Sequence, residues 1–127
     1  MNHRTLFMIT AVVILIFGLV WLILPAFGLG LFGHNVAVND LPSILTRYWG
    51  SAFVSLAVIL WLARNGQADS IGVRAIIIGG FVLAVTGLLA ALNDWWFGTP
   101  NGMIWLSISL YAIFAILYGI FTFKKPT

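Results

Sequence analysis

Cysteine is absent from the chain, which excludes disulfides, thiolate metal sites and thiol catalysis. Charge is scarce as well. Charged residues make up 7% of the sequence, whereas a soluble domain carries about a quarter, so a water-facing surface cannot be built from this composition. Histidine occurs only as His3 and His34, and the acids are Asp40, Asp69 and Asp94. What fills the chain instead is apolar: 62% of its 127 residues are hydrophobic, against roughly 45–50% in soluble domains.

That apolar content falls in four runs, Leu6–Leu24, Ile44–Ala63, Val73–Leu92 and Met103–Phe123, none with a charge in its middle third. A helix rises about 1.5 Å per residue, so ~20 residues cover the ~30 Å hydrocarbon core of a bilayer. The composition therefore predicts an integral membrane protein with a single transmembrane domain over residues 1–127 and spans at about 6–24, 44–63, 73–92 and 103–123. Read as a secretory signal, the first run has Arg4 before it and Ala26 after it. It is longer than the 7–15 residues of a signal core and lacks an A-x-A site, so a retained helix is expected.

Local signals bound the spans. Pro25 with Gly28, Gly30 and Gly33 breaks the first helix, and the apolar stretch 26–32 that follows suits the headgroup zone. Asp40 stands at an N-cap position with Pro42 in the first turn of the second helix. Arg64-Asn65-Gly66 stops that helix. The third ends at Asn93-Asp94, leaving a connection over 93–102 that holds Trp95 and Trp96, and the fourth ends at Lys124-Lys125-Pro126.

Charge orients these spans. Of the six basic residues, Arg4, Arg64, Arg74, Lys124 and Lys125 fall on one side and Arg47 alone on the other. Positive-inside bias puts both termini in the cytoplasm. Trp21, Trp49, Trp95, Trp96 and Trp105 then line the outer boundary, where amphipathic rings settle. Short loops make sequential helices antiparallel, so the expected fold is all-α, an up-down-up-down four-helix bundle. The net charge of +3 arises from single residues at membrane edges rather than from a patch, so no nucleic-acid partner is expected.

Within lipid, helices associate through small residues and interhelical hydrogen bonds. Gly80, Ala84, Gly87 and Ala91 follow steps of four, three and four and form a helix-packing face on the third span. Polar stripes run along the second helix (Arg47, Ser51, Ser55) and the fourth (Ser107, Tyr111, Tyr118, Thr122). Both should face protein, as glue between helices or as the lining of a small polar cavity. Arg47 lies alone on the outer side. It either pairs with Asp40 or Asp94, snorkels outward, or builds with Ser51, Asn93, Asp94 and Tyr111 an outer-leaflet site for a lipid headgroup or other anion.

Chemistry beyond this finds few candidates. No histidine sits within a span to hold a haem, and no His/Asp cluster offers the three or four ligands of a zinc site. No acid lies at membrane depth to couple a proton to transport. The serines Ser51, Ser55, Ser107 and Ser109 have no histidine at their depth. The expectation is therefore no enzyme activity, no cofactor and no metal. Gly18-Leu19 and Gly87-Leu88, followed by Phe32-Gly33 and Phe97-Gly98 at unequal spacings, form at most a faint two-helix duplication.

Leu24-Pro25, Leu31-Phe32-Gly33, Arg47-Tyr48-Trp49-Gly50 and Trp61-Leu62-Ala63-Arg64 form an outline. Over roughly the first half of the chain it resembles an uncharacterised family of small bacterial four-helix membrane proteins, in which an arginine followed three residues later by glycine opens the second helix. The resemblance implies a bacterial origin and an inner-membrane location, and it brings no activity, cofactor or binding residues. Together these readings point to an accessory or structural subunit packing against partner membrane proteins or itself, as in a respiratory or photosynthetic complex. A module binding lipid or a small apolar ligand comes second, and a small uncoupled carrier third.

Overall fold

Asn2 starts the first helix. Its side chain accepts the N–H of Thr5 at 2.9 Å, meeting one of the donors that a helix start leaves without a partner. In the computed structural model, which describes residues 1–125, helix α1 spans His3–Ile23, α2 Pro25–Leu31, α3 Leu41–Ala63, α4 Ile71–Phe97 and α5 Ile104–Phe123. There are no strands among the described residues. Four of these helices, α1, α3, α4 and α5, are long and apolar enough to cross a membrane, as befits a multi-pass membrane protein. Pro126 of the expected terminal stop lies outside the described residues.

The helices exceed the apolar runs at several ends. Pro25 ends α1 but opens α2, where its missing N–H falls at the first helical position and costs nothing. The stretch expected as a broken tail is thus a short helix of its own. α4 does not stop at Asn93-Asp94. It continues through Trp95 and Trp96 to Phe97 and closes at Gly98, whose N–H bonds the Asp94 carbonyl at 2.9 Å. Asn93 and Asp94 are exposed, so polar side chains at the end of the apolar run do not oppose helix; glycine and the Pro100 beyond it do. The connection expected over 93–102 is correspondingly shorter.

The chain forms two units, Met1–Asn65 and Gly66–Thr127. In the first, α1 packs on α3 with α2 against both. The buried face of α1 is Leu6, Phe7, Thr10, Ala11 and Gly18; that of α3 is Ser43, Thr46, Gly50, Ala57 and Leu60. The helices meet closest at two glycines. A Cβ on Gly50 would stand 2.5 Å from the Leu22 nitrogen and 2.7 Å from the Gly18 carbonyl oxygen, and one on Gly18 would stand 3.0 Å from the Val54 nitrogen. Backbone touches backbone there, which only glycine permits. Trp21 stacks on Phe53 at 6.1 Å and meets Phe32 edge-on at 6.4 Å, joining α1, α3 and the end of α2.

In the second unit α4 packs on α5, and their pairings run in opposite chain directions over the full length. Arg74 meets Phe121 and Thr122, Gly80 meets Tyr118, Gly87 meets Tyr111, and Trp95 meets Trp105. The α4 residues in this seam, Val73, Ile77, Gly80, Ala84, Gly87 and Ala91, alternate steps of four and three. That 3.5-residue repeat is the spacing of a left-handed helix pair. Volume is complementary across the seam: the glycines of α4 receive the tyrosine rings of α5. Tyr118 is 2% exposed and Ala84 3%, so the fit excludes lipid as well as water.

Candidate functional site

α3 begins against a folded loop. Asp40 occupies the N-cap position but makes no side-chain cap bond. Its carboxylate accepts the Ala37 N–H at 3.0 Å, and the Ser43 hydroxyl donates to the Ala37 carbonyl at 2.7 Å. Arg47, half-buried one turn further along, donates through Nη2 to the Val38 carbonyl at 2.8 Å. The charges of Asp40 and Arg47 are thus each met by loop backbone. Arg47 ties the loop to the helix, and a guanidinium with five donors keeps others for a further acceptor.

Ser51 lies one turn beyond Arg47 on the same helix and is exposed, as is Ser55. The Ser55 hydroxyl donates to the Ser51 carbonyl at 3.0 Å, a bond within the helix. Tyr48 is 70% exposed. The face of α3 that carries these hydroxyls is therefore left open by α1, which takes the face of Thr46, Gly50, Ala57 and Leu60.

The other residues of the expected outer site belong to the second unit. Asn93 and Asp94 stand exposed near the end of α4, while Tyr111 is half-buried with its ring laid over Gly87. Arg47 and Ser51 are neighbours in one unit; Asn93 and Asp94 are neighbours in the other, with Tyr111 engaged in the α4–α5 seam. Beyond them, Trp95, Trp96 and Trp105 form a ring cluster with centroid distances of 5.7 and 5.5 Å. Among the described residues, no three His, Cys, Asp or Glu side chains come together in a way that could hold a metal ion.

Two arginines at the opposite helix ends were not singled out as structural by sequence reasoning. Arg64 at the C-cap of α3 lies 4.3 Å from the Trp61 ring centroid and donates to the Trp61 carbonyl. Arg74, in the first turns of α4, donates Nη1 to the Phe121 carbonyl at 3.0 Å and Nη2 to the Thr122 carbonyl at 3.1 Å. These are two of the carbonyls that the last turn of α5 leaves without helical donors. A planar fork fits two neighbouring carbonyls at once, and a cation suits a helix C-terminus. No local pattern links residue 74 to residues 121 and 122, so the contact is invisible in the sequence. The hydroxyl of Thr122 is buried there without a hydrogen-bond partner.

Comparison with protein-family models, curated proteins and solved structures finds no match to this chain.

Proposed function

We propose that this protein is a non-enzymatic integral membrane protein of the bacterial inner membrane that serves as an accessory or structural subunit for partner membrane proteins. In this reading the helices cross up, down, up and down, with both termini in the cytoplasm, as the distribution of Arg4, Arg64, Arg74, Lys124 and Lys125 favours. The bacterial setting rests on the family resemblance of the first half. The observation that carries the subunit reading is the open face of α3. Tyr48 and Ser51 present hydroxyls where neither α1 nor α2 covers them, beside Ser55, whose hydroxyl is paired within the helix. A hydroxyl facing hydrocarbon is costly unless paired, and a neighbouring membrane helix supplies both the pairing and the close approach that small residues allow.

Purification of the full chain in mild detergent, followed by native mass measurement, tests this. Stoichiometric co-purifying polypeptides support the reading. Loss of those polypeptides in a Ser51→Leu/Ser55→Leu variant that keeps its helicity places the contact on α3. A lone monomer whose retained mass is lipid contradicts it and favours the second reading, a lipid-binding module. That alternative draws on Arg47, whose guanidinium has donors left after bonding Val38; Arg47→Ala should then reduce the retained anionic lipid.

A further inference from the structure

We propose that the end of the second unit where α4 starts and α5 stops is a binding site for the phosphate of an anionic membrane lipid, formed by Arg74, Lys124 and Lys125. Two hydrogen bonds fix Arg74. Its guanidinium sits on the Phe121 and Thr122 carbonyls at 3.0 and 3.1 Å, two to three residues before Lys124. α5 ends at Phe123. Lys124 turns into extended backbone (φ −78, ψ 138), its N–H bonding the Ile120 carbonyl at 2.9 Å. Both lysines are exposed, while Arg74 is half-buried and immobilised. Three cations that are 50 residues apart in sequence, counted from Arg74 to Lys124, are thereby gathered at one corner of a helical hairpin.

Among the described residues, no carboxylate compensates the charge at this corner. The C-terminal dipole of α5 carries roughly half a negative charge, but the N-terminus of α4 at the same end carries roughly half a positive one, so the two nearly cancel. Among the described residues none of the three cations pairs with a carboxylate, and Asp69, two residues before α4 begins, is exposed. Arg74 spends two N–H donors on carbonyls, which leaves three of its five for an outside acceptor. A tetrahedral phosphate matches a guanidinium fork flanked by ammonium groups. The corner also terminates two helices of membrane-spanning length, so the phosphate within reach is that of a lipid headgroup, whose chains can lie along the apolar surface of the hairpin.

This inference rests on the chain being embedded in a membrane; binding in detergent does not depend on its orientation or its partners, and orientation decides only which leaflet supplies the lipid. The test is native mass spectrometry of the full chain in detergent micelles, with phosphatidylglycerol, phosphatidylcholine or inorganic phosphate added. Wild type should retain phosphatidylglycerol and release phosphatidylcholine. Removing a juxtamembrane lysine weakens attraction to anionic lipid roughly fivefold, so Lys124→Gln/Lys125→Gln should weaken phosphatidylglycerol binding about 25-fold. Both lysines are exposed, so the variant should keep wild-type helicity by circular dichroism. Equal phosphatidylglycerol retention by the variant, or equal retention of phosphatidylcholine by wild type, overturns the site. Displacement of the lipid by millimolar inorganic phosphate overturns the lipid source and assigns the corner to a free phosphate. A wild-type chain that washes out of membranes at alkaline pH would instead sink the membrane reading itself.

Discussion

Single residues decide how close the helices come. Gly50 and Gly79 both lie within long helices, yet their surroundings are opposite. A methyl group on Gly50 meets the α1 backbone at 2.5 Å, whereas one on Gly79 finds nothing within 4 Å. Gly50→Ala should therefore force α1 and α3 apart and destabilise the first unit by about 1–3 kcal/mol. Gly79→Ala should stabilise α4 by up to about 1 kcal/mol through helix propensity alone. Detergent-titrated unfolding followed by circular dichroism measures both. The corner of the second unit gives a second pair of tests. Arg74→Gln removes the charged fork from two α5 carbonyls, each hydrogen bond to a charged group being worth roughly 1.5–3 kcal/mol. Thr122→Val replaces a buried hydroxyl that has no partner with a methyl of the same shape, so unfolding should shift toward higher stability or stay unchanged. A large loss for Thr122→Val would mean that the hydroxyl is used.

At the scale of elements, the apolar runs were legible because about twenty apolar residues with no charge in their middle third have one physical solution in lipid. Their ends were less so. Periodicity and hydropathy report where a helix is greasy, not where it stops, and α4 continues past its apolar run through Asn93, Asp94 and three aromatic residues to Phe97. At about 1.5 Å per residue its 27 residues reach ~40 Å, some 10 Å more than the hydrocarbon core. Because the chain has no native cysteine, single cysteines can be introduced without background. Cysteines at 94, 96 and 97 should react with a membrane-impermeant maleimide, and those at 80, 84 and 87 should not. Periodic labelling of 94–97 at helical spacing would further distinguish helix from the loop that composition suggests. Partners across a seam were harder to read than the seam's own stripe. The steps from Gly80 to Ala91 mark a face, but nothing in that pattern says that Tyr111 and Tyr118 fill its gaps. Gly18 and Gly50 carry no stripe at all, being single glycines on separate helices. Their pairing follows from tertiary geometry, since only the register of α1 on α3 brings them together. Of the expected outer site, the exposure of Asn93 and Asp94 follows from their places near the end of α4, whereas Ser51, mid-helix and expected to face protein, is exposed because α1 takes the other face of α3. Engagement of Arg47 by the Val38 carbonyl depended on how the loop folds, which turn chemistry at Asp40 and Ser43 determines.

At the scale of the whole molecule, four long apolar helices and scarce charge make the membrane the principal solvent. The remaining claim is how the chain threads it. In the proposed reading the helices cross alternately, as short connections between them favour, and the sidedness is the one that five cations against one favour. The subunit and lipid readings both depend on that threading, because it determines which leaflet meets Arg47 and which meets Lys124 and Lys125. The most direct test is sided labelling of single cysteines at Asn2, Val36, Gln67, Thr99 and Lys125 in sealed inner-membrane vesicles of known orientation. The account predicts that positions 2, 67 and 125 react from the cytoplasmic face and positions 36 and 99 from the other. Labelling of positions 2 and 125 from opposite faces would contradict it.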